Sequence, residues 1–296
     1  MSTTPARNGR PVESSFGARL SAAMDDHGPL CVGIDPHASL LRDWGLPDTP
    51  AGLRDFSLRV VDALGGRVAA VKPQSAFFER HGAAGIGVLE ETLAALRQTG
   101  TLCVLDVKRG DIGSTMSGYA QAYLADGAPL AADAITVSPY LGYGSLRPAL
   151  DLAADAGRGV FVLALTSNPE GAAVQHARGP AGRAVAAEVV AGATASNAAA
   201  RAAGELGSVG LVVGATVGDA VRELDLDLLA AGGPLLAPGV GAQGGGAAEL
   251  RAVFGAARRN VLASTSRGVL GAGPDREALR QAADSAVAEA GAALRA

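Results

Sequence analysis

The chain has 296 residues, of which 48% are hydrophobic but only 4% aromatic, with 41 glycines and a formal net charge of −4. That length fits one α/β barrel without requiring a second domain, and the aliphatic bias calls for a core of closely packed Ala, Val and Leu. The acidic balance supplies no concentrated basic surface and no apolar stretch is long enough to span a bilayer, so neither nucleic acid nor membrane is expected as a partner.

The first fifteen residues are polar, with Pro and Arg and without the apolar core of a signal peptide, and read as a loose tail. Residues 1–29 are expected to hold this tail and a leading helix, and residues 30–296 the catalytic domain. Within the latter, eight short apolar runs read as buried strands, at 30–34, 68–72, 102–106, 134–137, 160–165, 210–213, 235–237 and 260–264. A helix candidate follows each run. The amphipathic pattern is clearest at 51–64, 85–97, 115–124, 182–203 and 275–294. Alternation of this kind gives a parallel sheet, and eight repeats over about 250 residues predict an α/β fold, a single-domain (βα)8 TIM barrel. Cys31 and Cys103 lie in apolar strand-like runs without a CxxC pair, which suits buried free thiols in the cytoplasm.

In such a barrel the active site lies at the C-terminal ends of the strands, so polar residues just past each run are the candidates. Strand one ends at Asp35, strand two at Lys72, and strand three at Asp106 and Lys108, with Asp111 beyond Gly110. Side chains two apart on a strand share a face, so Asp106 and Lys108 point the same way. Alternating opposite charges can be buried because each keeps its neighbours ionised. A structural ion pair capping a strand is the competing reading of Asp106 and Lys108; a turn residue is that of Asp35, which precedes Pro36, and a solvated strand end that of Lys72. Their occurrence at successive strand ends favours a site.

Strand five ends in Thr166-Ser167-Asn168, which also reads as a helix N-cap. The loop Gly239-Val240-Gly241-Ala242-Gln243-Gly244 matches G-x-G-x-x-G, yet it follows the seventh strand, and the next strand ends in Ser264-Thr265 where a ribose-binding acid should stand. With Arg267 after strand eight it fits instead the phosphate site frequent in barrels, or else two ordinary turns. Gln243 can donate through its amide and Arg267 through a bidentate fork. The four histidines are scattered without metal-ligand spacing, so no metal is expected.

The run Asp106-Val107-Lys108-Arg109-Gly110-Asp111-Ile112 resembles the signature of the orotidine 5'-phosphate decarboxylase family. Lys72-Pro73-Gln74-Ser75-Ala76-Phe77-Phe78-Glu79, Thr166-Ser167-Asn168-Pro169, Ala237-Pro238-Gly239-Val240-Gly241-Ala242-Gln243-Gly244-Gly245 and Ser266-Arg267-Gly268 are similar to its longer bacterial branch. The resemblance implies decarboxylation of orotidine 5'-phosphate to UMP, the last step of de novo pyrimidine nucleotide synthesis. It implies no cofactor, and a homodimer with a site shared across the interface. By the same resemblance Asp35 and Lys72 hold the ribose hydroxyls, Asp106 faces the substrate carboxylate, and Lys108 donates the proton to C6. Asp111, Ile112 and Thr115 would enter from the partner subunit, Ser167 would bond the pyrimidine, and Gln243 and Arg267 would grip the phosphate. Val269-Leu270-Gly271 departs from the family, where many relatives carry an aromatic. Three readings compete. They are a metal-dependent phosphosugar decarboxylase or aldolase with Asp106 as a ligand, a lysine Schiff-base aldolase, and a non-catalytic phosphate-binding barrel.

Overall fold

The computed structural model describes residues 14–240 and 246–295. Eight strands, β1 Leu30–Ile34, β2 Ala70–Pro73, β3 Leu102–Arg109, β4 Ala134–Val137, β5 Gly159–Leu165, β6 Val209–Val213, β7 Leu235–Pro238 and β8 Val261–Thr265, pair in chain order. All pairings are parallel, and β1 closes the barrel on β8 through Leu30 opposite Ala263. The fold is the expected (βα)8 barrel.

Alternation along each strand explains why the runs are apolar without a break. Cys31, Ala70, Leu102, Val104, Ala134, Phe161, Val212, Leu236 and Leu262 fill the interior. Their neighbours Val32, Val71, Cys103, Leu105, Ile135, Val160, Leu211, Leu235 and Val261 pack outward beneath the helices. A strand buried on both faces has no polar side to expose until it ends, and the polar residues accumulate at the mouth. The two cysteines belong to opposite layers and are both free.

The connecting helices start where short side chains satisfy their first amides. Thr49 accepts the Gly52 N–H ahead of Pro50–Leu64, and Asp275 accepts the Ala278 N–H at 2.9 Å ahead of Arg276–Leu294. Two expectations change. The helix expected at 182–203 begins at Val185 and breaks after Ser196, because buried Asn197 spends its side chain on other backbone: its amide donates to the carbonyls of Val209 and Ala231 at 2.7 and 2.8 Å. After β6 only the single turn Ala220–Glu223 forms.

The leading helix Phe16–His27, capped by Ser15, plugs the N-terminal end of the barrel. Phe16, Leu20 and Met24 recur every fourth residue and join the interior cluster. Phe16 meets Phe161 edge-on with ring centroids 6.0 Å apart. Gly159 opens β5 because a Cβ there would stand 2.1 Å from the Phe16 ring. No described helix is long and apolar enough to cross a membrane.

Candidate active site

At the C-terminal mouth the strand ends enclose a cavity of about 390 Å³. Its charged lining comes from the residue just past β1 (Asp35), from β2 (Lys72), β3 (Asp106 and Lys108) and the helical turn Arg267–Leu270 after β8 (Arg267), with Ser167 following β5. The structure therefore brings six of the sequence-predicted residues to one cavity. Asp111, Ile112 and Thr115 are not part of its lining; Ile112 and Thr115 are exposed at the start of helix Gly113–Leu124, and Asp111 accepts the Ile112 N–H at 2.8 Å. Gln243 lies outside the described residues.

Asp106 is the hub. Its Oδ2 accepts Lys72 Nζ at 2.9 Å and Gln74 Nε2 at 3.0 Å, while its Oδ1 accepts Lys108 Nζ and the Thr136 hydroxyl, each at 2.7 Å. All the acceptor capacity of a carboxylate is used by these bonds. Side-chain exposure separates the two lysines: 7% for Lys72 against 47% for Lys108, with Asp106 at 8%. Burial pushes the Asp106 carboxyl up, but the ammoniums of Lys72 and Lys108 and the bonds from Lys108 and Thr136 overcome it and hold the group well below the usual carboxylate range. Burial likewise pulls Lys72 down, and the charges of Asp106 and Asp35 more than reverse it, leaving Lys72 above the ordinary lysine value. Both are charged at neutral pH.

Asp35 takes a hydrogen bond from Ser266 Oγ at 2.6 Å on Oδ2, while among the described residues its buried Oδ1 has no partner. A carboxyl oxygen left without a partner on a cavity wall suits a ligand hydroxyl. The close approach of Ser266 is possible because residue 33 is Gly: a Cβ there would lie 2.1 Å from the serine oxygen. On the β7–β8 side, Gly239 takes a φ of +94, the positive region that favours glycine, and its backbone lines the cavity beside Arg267. Thr166 and Asn168 are bonded to each other, and Gln175 holds Thr166 through both ends of its amide, which fixes the segment carrying Ser167. The N-cap reading of this segment is not realised, since Asn168 makes no side-chain capping bond. Among the described residues no group of three or more His, Cys, Asp or Glu is placed to hold a metal.

Sequence reasoning missed Gln74 and Thr136 as partners of Asp106. Gln74 stands in the Lys72-Pro73-Gln74 motif, which was a usable signal. Thr136 had only its hydroxyl in an otherwise apolar strand.

Residues 28–282 match the family model described as Orotidine 5'-phosphate decarboxylase / HUMPS family. Over 271 residues the chain is 61% identical to the protein named orotidine 5'-phosphate decarboxylase of Streptomyces coelicolor, covering 91% of this chain and 94% of the relative. A protein of the same name from Salinispora arenicola is also 61% identical, over 95% of this chain and 98% of its own length. A crystal structure from Streptomyces avermitilis superposes with a TM-score of 0.92 at 60% identity, covering 99% of this chain and 100% of that one. The Leishmania donovani OMP decarboxylase superposes with a TM-score of 0.74 at 33% identity, over 95% and 100% of the two chains. With a closed eight-stranded barrel and an Asp-Lys array at its mouth, the chain belongs to the orotidine 5'-phosphate decarboxylase / HUMPS family.

Proposed function

We propose that this barrel removes the C6 carboxylate of orotidine 5'-phosphate as carbon dioxide and leaves UMP, the last step of de novo pyrimidine nucleotide synthesis. The observation that carries the reading is the Lys72–Asp106–Lys108 array, a buried ion pair extended by a half-exposed lysine and facing one cavity. The difficult species is the electron pair left on C6 when carbon dioxide departs. An ammonium fixed beside that carbon stabilises charge where it develops, then supplies the proton, and the breaking C–C bond is replaced by a C–H bond. Lys108 has the exposure to reach a ligand in the cavity, and Asp106 aims it. Asp106 has no acceptor capacity left for a cation, which speaks against its service as a metal ligand in a phosphosugar reaction.

The other roles are those that the family resemblance implies, and for the described residues their place on the cavity wall supports them. Asp35 with its open oxygen, and Lys72, hold the ribose hydroxyls; Ser167 bonds the pyrimidine; Arg267, with Gln243, grips the phosphate. The phosphate grip stands away from the reacting carbon, so its binding energy serves to close loops over the substrate. Asp111, Ile112 and Thr115 serve the site of a second copy. That reading is supported by their place outside their own cavity and by an exposed apolar group on adjoining loops, Ile112, Tyr140 and Leu141, which are 61, 78 and 52% exposed. A homodimer covers it. Residues 30–296 form the catalytic unit, the leading helix serves as its floor, and the two free thiols suit the cytoplasm. Addition of orotidine 5'-phosphate in the presence of a chelator, followed by the loss of orotate absorbance, tests the activity; persistence of the absorbance sinks it.

A further inference from the structure

The register of β3 against β4 breaks where the proposed proton donor stands. Leu105 pairs with Ile135, and the next pair is Arg109 with Val137. β3 advances from 105 to 109 while β4 advances only from 135 to 137, so the segment with Asp106 and Lys108 bulges from the ladder. Lys108 itself takes a φ of +44, the left-handed region that a residue with a Cβ enters only when its surroundings hold it there.

Thr136 lies beside this bulge and is 1% exposed. Its hydroxyl accepts the Lys108 N–H at 3.0 Å, where a regular ladder would supply a backbone carbonyl, and donates to Asp106 Oδ1 at 2.7 Å. Lys108 Nζ donates to the same oxygen at 2.7 Å. The bonds close a ring from the Lys108 amide through Thr136 and Asp106 back to the Lys108 ammonium. A hydroxyl carries one proton, and the Lys108 amide occupies its acceptor side, so that proton faces Asp106.

We infer that Thr136 is a positioning residue for the reaction: it ties the backbone of the bulge to the carboxylate that aims Lys108, and so sets where the donor ammonium stands. This rests on the decarboxylase reading above. A threonine that merely filled space in the barrel would be replaceable by valine, which has the same shape and neither bond. A threonine that positions Lys108 is replaceable only by a residue with a hydroxyl.

Thr136→Val is expected to lower kcat about 10- to 100-fold while KM for orotidine 5'-phosphate and the Kd of UMP stay within about twofold. Thr136→Ser is expected to stay within about threefold of the wild-type kcat. A wild-type kcat in the valine variant overturns the inference. So does a serine variant as slow as the valine one, or a parallel loss of kcat and UMP affinity, which marks a structural role. Thr136→Ala carries the same expectation should the valine variant fail to fold. A crystal structure of the valine or alanine variant reads the positioning without the reaction: Lys108 leaves the left-handed region or its Nζ leaves Asp106, and an unmoved Lys108 overturns the inference. Wild-type protein that leaves orotidine 5'-phosphate intact refutes the proposed activity instead, with the crystallographic comparison still deciding the place of Thr136.

Discussion

Two lysines share one carboxylate at the mouth of this barrel, and their surroundings give them different tasks. Lys108→Ala is expected to remove turnover by at least about 100-fold, the scale of a positioned acid, while UMP still binds. Single-turnover assays and UMP titration check both parts. Asp106→Asn takes from the buried Lys72 ammonium its bonded counter-charge, leaving only the more weakly acting Asp35, and is expected to cost about 3–5 kcal/mol of stability at neutral pH. The sign with pH follows from the direction of each shift. The Asp106 carboxyl is lowered in the folded state, so its contribution is present above the unfolded value of about 3.9 and fades as pH falls through and below it. Lys72 is raised, so its contribution is complete below the unfolded value of about 10.4 and fades at higher pH. Denaturant unfolding of wild type and Asp106→Asn should therefore show a gap that is steady between about pH 5 and 9 and narrows below about pH 4. A gap that widens in acid contradicts the assignment.

At the level of elements, the leading helix does more than its place ahead of the barrel suggests. Phe16 reaches the interior between the first residues of β5 and the Phe161 ring, fully buried, so Phe16→Ala removes a floor contact far from the chemistry. The expected cost is about 3–5 kcal/mol in denaturant unfolding, with kcat unchanged where the protein stays folded. The strands were legible because each is buried on both faces and bounded by turns. The break at Asn197 was not, since it depends on carbonyls of Val209 and Ala231 that are distant in sequence. Period-two reasoning placed Asp106 and Lys108 together, and they are bonded, but through a bulge and a positive φ that no alternation pattern records. Thr136 was invisible for the same reason: a hydroxyl in an apolar strand announces no partner. Asp35, Lys72 and Arg267 were legible because strand order in a closed barrel converts chain position into a place on the rim.

At the scale of the whole molecule, the proposed homodimer brings in a second copy. If the proposed dimer shares its sites, mixed dimers of Lys108→Ala with Asp111→Ala subunits are expected to regain activity that neither parent homodimer has, because one of the two sites would then be intact. Absence of any regain, with mixed dimers confirmed by mass, removes the exchange of Asp111 between subunits. The plugged floor has its own consequence. A barrel stoppered at one end is a vessel with a single opening, so nucleotide, gas and proton all pass the same rim. Lys72, deep in the neck, is a standing charge that water seldom reaches; Lys108, nearly half exposed at the lip, is the one open to solvent, from which its proposed role as donor would be renewed. The catalytic cycle is therefore refilled from the side on which it empties.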